Sequence, residues 1–239
     1  KVLAKGLEGI IADVEHSMER LDAQAEDSLA KRQFLEAVIL ACRGAILFAG
    51  RYAVEARRLA AMEPDPVRRD ELERIAAILT RVPARPAETF QEALQSFWIT
   101  HLVINLETSG HAFGPGRFDQ YMLPFYRRSV DSGEITHAQA QELLDCLWVK
   151  FDEITLAKDS GESQTSSSYP DFQNLNIGGL TRGGRDAVNE LSFMCLDALD
   201  HTLLPQPGLS AQISSVTPPK FLLRCCEVLR LGTGMPAMF

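Results

Sequence analysis

The sequence predicts an α/β fold that is rich in helices. Apolar residues recur at helical spacing through the first half of the chain, which indicates a helical layer over residues 1–106. From residue 171 onward the predicted order is strand, helix, strand, helix. This alternation is typical of a parallel sheet or a barrel, so residues 107–239 are predicted to hold the strands.

Composition excludes several classes of protein. The 239 residues are 46% hydrophobic, which is ample apolar material for a folded core and excludes intrinsic disorder. No window approaches about 20 uninterrupted apolar residues, so we expect no membrane association. The net charge of −8 argues against a nucleic-acid partner, because phosphate binding requires a basic face. The five cysteines are few and odd in number, which favours reduced thiols and a cytoplasmic protein.

Local signals set the predicted helices of the first half. One amphipathic helix is predicted over 1–21 and a longer one over 27–61. Asp65 before Pro66 is typical of a helix start, and Thr89 with Glu92 fits a capping box. The predicted apolar stripe of the second helix consists of Phe34, Leu35, Val38, Ile39, Cys42, Ile46, Ala49 and Ala53.

The second half alternates loops with regular elements. Residues 107–116 are rich in Gly and predict a loop with room for a short extended piece, and the Ser-rich stretch 159–168 predicts another. Thr136 and Gln139 form a second capping box, at the start of a helix to about 154. The remaining predicted elements are strands over 172–179 and 209–213, a helix over 186–202, and a last helix from the cap at 217–219 to about 231.

Several phrases in this half occur in a fixed order. They are residues 85–95 (RPAETFQEALQ), 116–121 (GRFDQY), 172–175 (FQNL) with the glycine pair at 178–179, 186–192 (DAVNELS), Gln206-Pro207 with Leu209-Ser210, and 232–237 (GTGMPA). In order and spacing they resemble the glycyl radical enzyme superfamily, which contains pyruvate formate-lyase and its dehydratase relatives. The resemblance extends more weakly through the N-terminal helices, and it is more specific for the diol-dehydratase-like branch.

The resemblance implies a β/α barrel of ten strands, of which 1–239 would be a segment of one domain: the helical layer and the start of a half-barrel. A catalytic cysteine and a radical-bearing glycine on two central loops would lie beyond Phe239, because the phrases Gly-Cys-Val-Glu and Arg-Val-x-Gly-Tyr are absent here. It further implies an elimination from a small hydroxylated substrate and no bound metal or organic cofactor. A separate activating enzyme that uses S-adenosylmethionine would install the radical. A homodimer in anaerobic cytoplasm follows by analogy.

Two residues are candidates for substrate binding. His111 lies in the Gly-rich break, where the resemblance places a Gly-His-Ser phrase that holds substrate hydroxyls, and imidazole can also move a proton near neutral pH. Ala112 replaces the serine, which argues against glycerol itself. Tyr169 falls where the family places an aromatic wall. The alternatives are a histidine satisfied by backbone groups and a tyrosine buried in the core.

Other reactive residues are predicted to be structural. The pair Cys225-Cys226 lies in a helical pattern, so we expect buried, inert thiols, as for Cys42, Cys146 and Cys195. Arg117 is expected to bind loop carbonyls while Asp119 caps the next turn. The four remaining histidines, on helical patterns, are expected to be helix-face or capping residues: His16, His101, His137 and His201. No catalytic residue is assigned within this segment.

The ends of the chain indicate a piece of a longer protein. Lys1 already lies inside an amphipathic pattern, and Phe239 follows a Gly-rich turn where a new element should begin. Three alternatives remain open at this point. They are a non-catalytic helical module for a basic protein partner, a truncated product with exposed strand edges, and a member of the formate acetyltransferase type that cleaves a C–C bond.

Overall fold

Helices build the first of two compact units, Lys1–Val103, and the second unit is Ile104–Phe239. The structure is a computed structural model that describes residues 1–22, 24–25, 27–108, 113–154, 161 and 173–239. The helices of the first unit, with the last one continuing into the second unit, are α1 (Val2–Glu19), α2 (Ser28–Ala60), α3 (Pro66–Arg81) and α4 (Phe90–Thr108).

α2 packs on α3 through small side chains. Its buried residues are Ile39 and a run of alanines that includes Ala49 and Ala53, which meet Leu79 of α3 in the core of this unit. Small residues let the two helices approach closely. The predicted stripe is therefore wrong in part: Phe34 is 68% exposed. α3 has 16 residues against 33 in α2, so it covers only about half of that helix.

α2 is also long and apolar enough to cross a membrane, judged by length and composition alone. Its most apolar window has a hydropathy of 1.6, with 17% of it buried. Arg43 and Arg51 interrupt the apolar run. A core helix passes the same test, so this single helix does not by itself indicate a membrane location.

α1 is interrupted at Gly6, where a continuous helix was predicted. Gly6 has φ 68° and ψ 169°, a conformation open essentially only to glycine. The break lets the N–H groups of Leu7 and Glu8 donate to the carbonyls of Pro83 and Ala84, at 2.8 and 2.9 Å. The helix is therefore tied to the segment that follows α3.

A four-stranded parallel sheet forms the centre of the second unit, with strands in the order β1-β2-β3-β4. This confirms the predicted α/β class. The strands are β1 (Gly116–Arg117), β2 (Asn174–Gly178), β3 (Gly208–Gln212) and β4 (Ala237–Met238). The helices are α5 (Phe118–Asp131), α6 (His137–Asp152), α7 (Glu190–Thr202) and α8 (Pro219–Leu229).

The sheet has one apolar face covered by these helices. Leu175 and Ile177 of β2 are fully buried and pair with Leu209 and Ala211 of β3. α5 and α7 contact β2, and α7 also packs against α6 and α8, so the helices form one layer. This layer and the apolar face of the sheet form the core of the unit.

Some of the predicted helix starts are confirmed and others are wrong. The capping boxes at Thr89 and Thr136 are confirmed, and so is the Asp65 cap of α3. α7 begins at Glu190, four residues later than predicted, because Asn189 provides its cap. α8 begins after Pro218 with no side-chain cap. α5 was not predicted, since it contains Pro124 and begins without a side-chain cap.

Candidate functional site

Arg117 joins the end of β1 to the turn after β2. Its Nη1 donates to the carbonyl oxygen of Leu180 at 2.8 Å, and its Nη2 donates to that of Gly178 at 2.7 Å. The prediction that this guanidinium binds loop carbonyls is confirmed. The guanidinium of Arg117 therefore binds two backbone carbonyls of the protein itself.

Asp119, two residues after Arg117, is fully buried. Its Oδ2 accepts hydrogen bonds from the N–H of Gly178 at 2.8 Å and from the hydroxyl of Ser192 at 2.5 Å. The predicted cap of the next turn is therefore wrong, although the role is structural. Burial raises the pKa of Asp119 above its ordinary value, and the hydrogen bonds from Ser192 and Gly178 act in the opposite direction.

The face of the sheet opposite the helix layer is polar. Alternation along the strands places Asn174 and Asn176 of β2 beside Gly208 and Ser210 of β3, with Gln212 at the end of β3. The Ser210 hydroxyl donates to Asn174 Oδ1 at 2.9 Å, which shows that these side chains share one side. We call Asn174, Asn176, Ser210 and Gln212 the polar face.

The predicted substrate residues precede two neighbouring strands in the sequence. His111 and Tyr169 themselves lie outside the described residues. The next strands after them along the chain are β1 and β2, which are parallel neighbours. At this edge Gly114 approaches β2 so closely that an added Cβ would lie 2.6 Å from the carbonyl oxygen of Asn174.

The cysteines do not form a reactive pair in this unit. Cys225 is buried, and burial raises its pKa to about 12; burial also raises the pKa of Cys195 well above the ordinary range. Both are therefore inert thiols, as predicted. Cys146 and Cys226 are exposed, so the expectation of burial is wrong for them. They lie on the outer sides of α6 and α8, while the apolar residues of these helices face the core.

The described histidines serve packing and hydrogen bonding. His137 contacts the Tyr126 hydroxyl at 2.9 Å, and His201 lies 2.9 Å from the Asp145 carboxylate. His101 stacks on Phe97 within α4. Within the described parts of the chain, no three His, Cys, Asp or Glu side chains cluster to hold a metal ion. Among the described strand residues, the amides and the hydroxyl of the polar face are polar groups that could meet a ligand.

The comparison with known proteins decides the family. The profile of the family described as Pyruvate formate lyase-like matches residues 1–239, the whole chain. The chain belongs to the pyruvate formate lyase-like family. The resemblance to glycyl radical enzymes inferred from the ordered phrases is thereby confirmed.

Individual members of this family are similar over the full length of the chain. Trans-4-hydroxy-L-proline dehydratase of Clostridioides difficile is 40% identical over 241 residues, and isethionate sulfite-lyase of Desulfovibrio desulfuricans is 37% identical over 243. A solved structure concerned with 1,2-propanediol dehydration in Roseburia inulinivorans superposes with a TM-score of 0.97 at 43% identity. Each match covers 100% of this chain, but the chain spans only 29 to 30% of the length of these relatives.

Sequence reasoning missed the polar face of this pyruvate formate lyase-like chain. Residues 172–179 were interpreted as a buried strand that ends in two glycines. The asparagines two positions apart in that phrase, Asn174 and Asn176, were the available signal, because side chains at this spacing share one face of a strand. Gln212 gave no comparable signal.

Proposed function

We propose that this chain is a segment of a longer glycyl radical lyase or dehydratase, in which residues 1–239 form part of a single domain. The complete protein removes water or another group from a small hydroxylated substrate. The observation that carries this proposal is the family match along the entire chain, together with relatives that are about three times as long. On this basis the catalytic cysteine and the radical glycine lie outside this segment.

The radical abstracts a hydrogen atom from the substrate carbon next to a hydroxyl. After the elimination, a hydrogen atom is returned to the product radical. The role of this chain is to hold the substrate. His111 binds a substrate hydroxyl and can deliver the proton that lets a leaving hydroxyl depart as water. Tyr169 forms an apolar wall of the pocket and has a hydroxyl for one further hydrogen bond.

The described geometry supports a common pocket for these two residues. His111 precedes Gly114 by three residues, and Tyr169 precedes Asn174 by five. Gly114 and Asn174 are in backbone contact. An extended chain spans at most about 3.6 Å per residue, so the small number of residues between each of them and this contact supports the proposal of a common pocket.

The partners follow from the same proposal. A separate activating enzyme that uses S-adenosylmethionine installs the radical. The protein works as a homodimer in anaerobic cytoplasm, with no nucleic acid and no membrane. The net charge of −8 supports the exclusion of nucleic acid.

Activation of the complete polypeptide tests the proposal. The coding sequence should first be followed past Phe239 for a Cys-x-Glu loop and a radical-glycine phrase. The complete protein, treated anaerobically with S-adenosylmethionine and an activating enzyme of this family, should then show an organic radical by electron paramagnetic resonance. 1,2-Propanediol and isethionate serve as substrates, and product analysis separates elimination from C–C cleavage. Absence of both phrases, or of any radical under conditions that activate the hydroxyproline dehydratase, would refute it.

A further inference from the structure

Arg117 belongs to β1, the next strand after His111 along the chain, and β1 has only two residues. It pairs in register with β2, Gly116 with Leu175 and Arg117 with Asn176. A strand this short forms few ladder hydrogen bonds, and parallel pairing is slightly weaker per residue than antiparallel pairing. The position of β1 therefore depends on further contacts of its own side chains.

The guanidinium of Arg117 provides two such contacts. It donates to the carbonyl oxygens of Gly178 and Leu180, at 2.7 and 2.8 Å, and so joins β1 to the turn after β2. Gly178 and Gly179 have φ of 72° and 79°, a left-handed conformation that glycine adopts without strain. Two carbonyls of one turn thereby meet one guanidinium, whose planar fork can donate from both Nη atoms at once.

The segment between His111 and β1 has two further contacts within the described residues. Gly114 lies so close to β2 that an added Cβ would be 2.6 Å from the carbonyl oxygen of Asn174. The hydroxyl of Tyr121, on α5, donates to the carbonyl oxygen of Pro115 at 3.1 Å. The chain is thus held at positions 114, 115 and 117, which follow His111 by three, four and six residues.

We infer that Arg117 is a positioning residue for His111, because its two hydrogen bonds fix β1 against β2 and so fix the backbone that follows the imidazole. This inference rests on the proposed function, which gives His111 its role in substrate binding. Arg117 acts through the backbone, to which both of its Nη atoms donate. Such an effect is large enough to measure, since a displacement of about 1 Å at a reacting group can cost about 100-fold in rate.

A double-mutant cycle in the complete, activated polypeptide tests the inference, with 1,2-propanediol and isethionate as the substrates. Arg117→Met removes both hydrogen bonds and should lower kcat/KM about tenfold. In a protein that already carries His111→Ala, the same substitution should lower kcat/KM less than twofold. A merely structural role would give the same factor in both backgrounds. Arg117→Lys keeps the charge and one donor group, so it should recover part of the loss.

Chemical labelling of His111 gives a second readout, which requires neither turnover nor a substrate. Diethyl pyrocarbonate modifies accessible imidazoles, and peptide mass spectrometry measures the rate at each histidine of the unactivated protein. Arg117→Met should accelerate the modification of His111 at least threefold, because the segment that follows it is released. His137, which is bonded to Tyr126, is the internal reference and should keep its rate.

Arg127→Met is the matched control. Arg127 lies on α5 and donates to the Glu190 carboxylate at 2.9 and 3.1 Å, so this variant removes a similar arginine contact that does not involve β1. It should leave kcat/KM and the labelling rate of His111 within twofold of the wild-type values. If Arg117→Met fails to fold, Arg117→Lys replaces it in both experiments and should give effects of the same direction and smaller size.

Three results would overturn the inference. They are an equal loss from Arg117→Met in both backgrounds, an unchanged labelling rate at His111, and an effect of Arg127→Met as large as that of Arg117→Met. A protein in which Arg117→Met accelerates the labelling of His111, but which never forms a radical, would instead contradict the proposed function alone.

Discussion

The carboxylate of Asp119 accepts a 2.8 Å hydrogen bond from the backbone N–H of Gly178, although 59 positions separate the two residues. The same oxygen accepts the hydroxyl of Ser192 at 2.5 Å. A single buried side chain of α5 thus fixes the end of β2 and the first turn of α7. The C-terminal ends of β2 and β3, where Gly178 pairs with Gln212, depend on this junction.

Asp119→Ala should lower the free energy of unfolding by about 2–4 kcal/mol, because it leaves the Gly178 N–H buried without an acceptor and removes the partner of Ser192. Urea unfolding followed by circular dichroism measures the change. Asp131→Ala, an exposed carboxylate on the same helix, is the control and should alter stability by no more than about 0.5 kcal/mol. Equal stability of the two variants would contradict this account of the junction.

The raised pKa of Asp119 gives this junction a defined pH dependence. Burial makes the folded-state pKa higher than that of the unfolded chain, so the folded state binds the proton more tightly. The contribution of this group to the free energy of unfolding is therefore fully present below the unfolded-state pKa of about 3.9. It is lost as the pH rises through the folded-state pKa. Relative to Asp119→Asn, the wild-type protein should gain stability as the pH is lowered from 7 toward 4. Urea titrations of both proteins at several pH values measure the difference, and a difference that shrinks on acidification would contradict the raised pKa.

Gly6→Ala should destabilise the first unit by about 2 kcal/mol or more. The added Cβ would lie 2.3 Å from the backbone oxygen of Ala84, and φ 68° is itself strained for alanine. Gly44→Ala on α2 is the control, because nothing lies within 4 Å of its added Cβ. The control should be neutral or stabilising by up to about 1 kcal/mol. Thermal unfolding of the two variants tests the contrast, which fails if Gly6→Ala melts at the wild-type temperature.

Asn189→Ala should cost more stability than Thr136→Ala. Both residues provide the cap of a capping box, and loss of such a cap costs about 1 kcal/mol. Asn189 also donates from Nδ2 to the carbonyls of Ala187 at 3.2 Å and Asp119 at 3.4 Å. Chemical unfolding should therefore rank the two variants in this order. The reverse order would show that these extra contacts contribute nothing.

Alkylation should separate the two adjacent cysteines. Cys226 is exposed, whereas Cys225 is buried with a pKa raised to about 12, so iodoacetamide at pH 8 should modify Cys226 well before Cys225. Cys146, which is also exposed, should react early like Cys226. Cys195, which is also buried, should react late like Cys225. Peptide mass spectrometry at timed intervals gives the order. Equal rates within the pair would contradict the structural role of Cys225, and labelling in urea provides the unfolded reference.

Local sequence signals predicted the parts of the fold that local physics determines. The start at Asp65-Pro66 and the capping boxes at Thr89 and Thr136 need only residues within one turn, and all three are confirmed. The strand and helix alternation likewise predicted a parallel sheet. The break at Gly6 was missed because its cause is the close approach of Ala84, which is remote in sequence.

The candidate site was less predictable for the same reason. The role of Asp119 depends on Gly178 and Ser192, which only the fold brings to it. Asn176 and Gln212 become neighbours only through the register of β2 and β3. The family was nevertheless predicted correctly, because ordered phrases such as GRFDQY can be recognised in the sequence without knowledge of the contacts. The substrate roles of His111 and Tyr169, outside the described residues, stay predictions.

A crystal structure of the complete polypeptide with 1,2-propanediol bound tests the central claim most directly. The account predicts the diol within hydrogen-bond distance of the His111 imidazole, with the Tyr169 ring against its carbon chain. A diol bound elsewhere, with His111 and Tyr169 on separate outer surfaces of the protein, would contradict it.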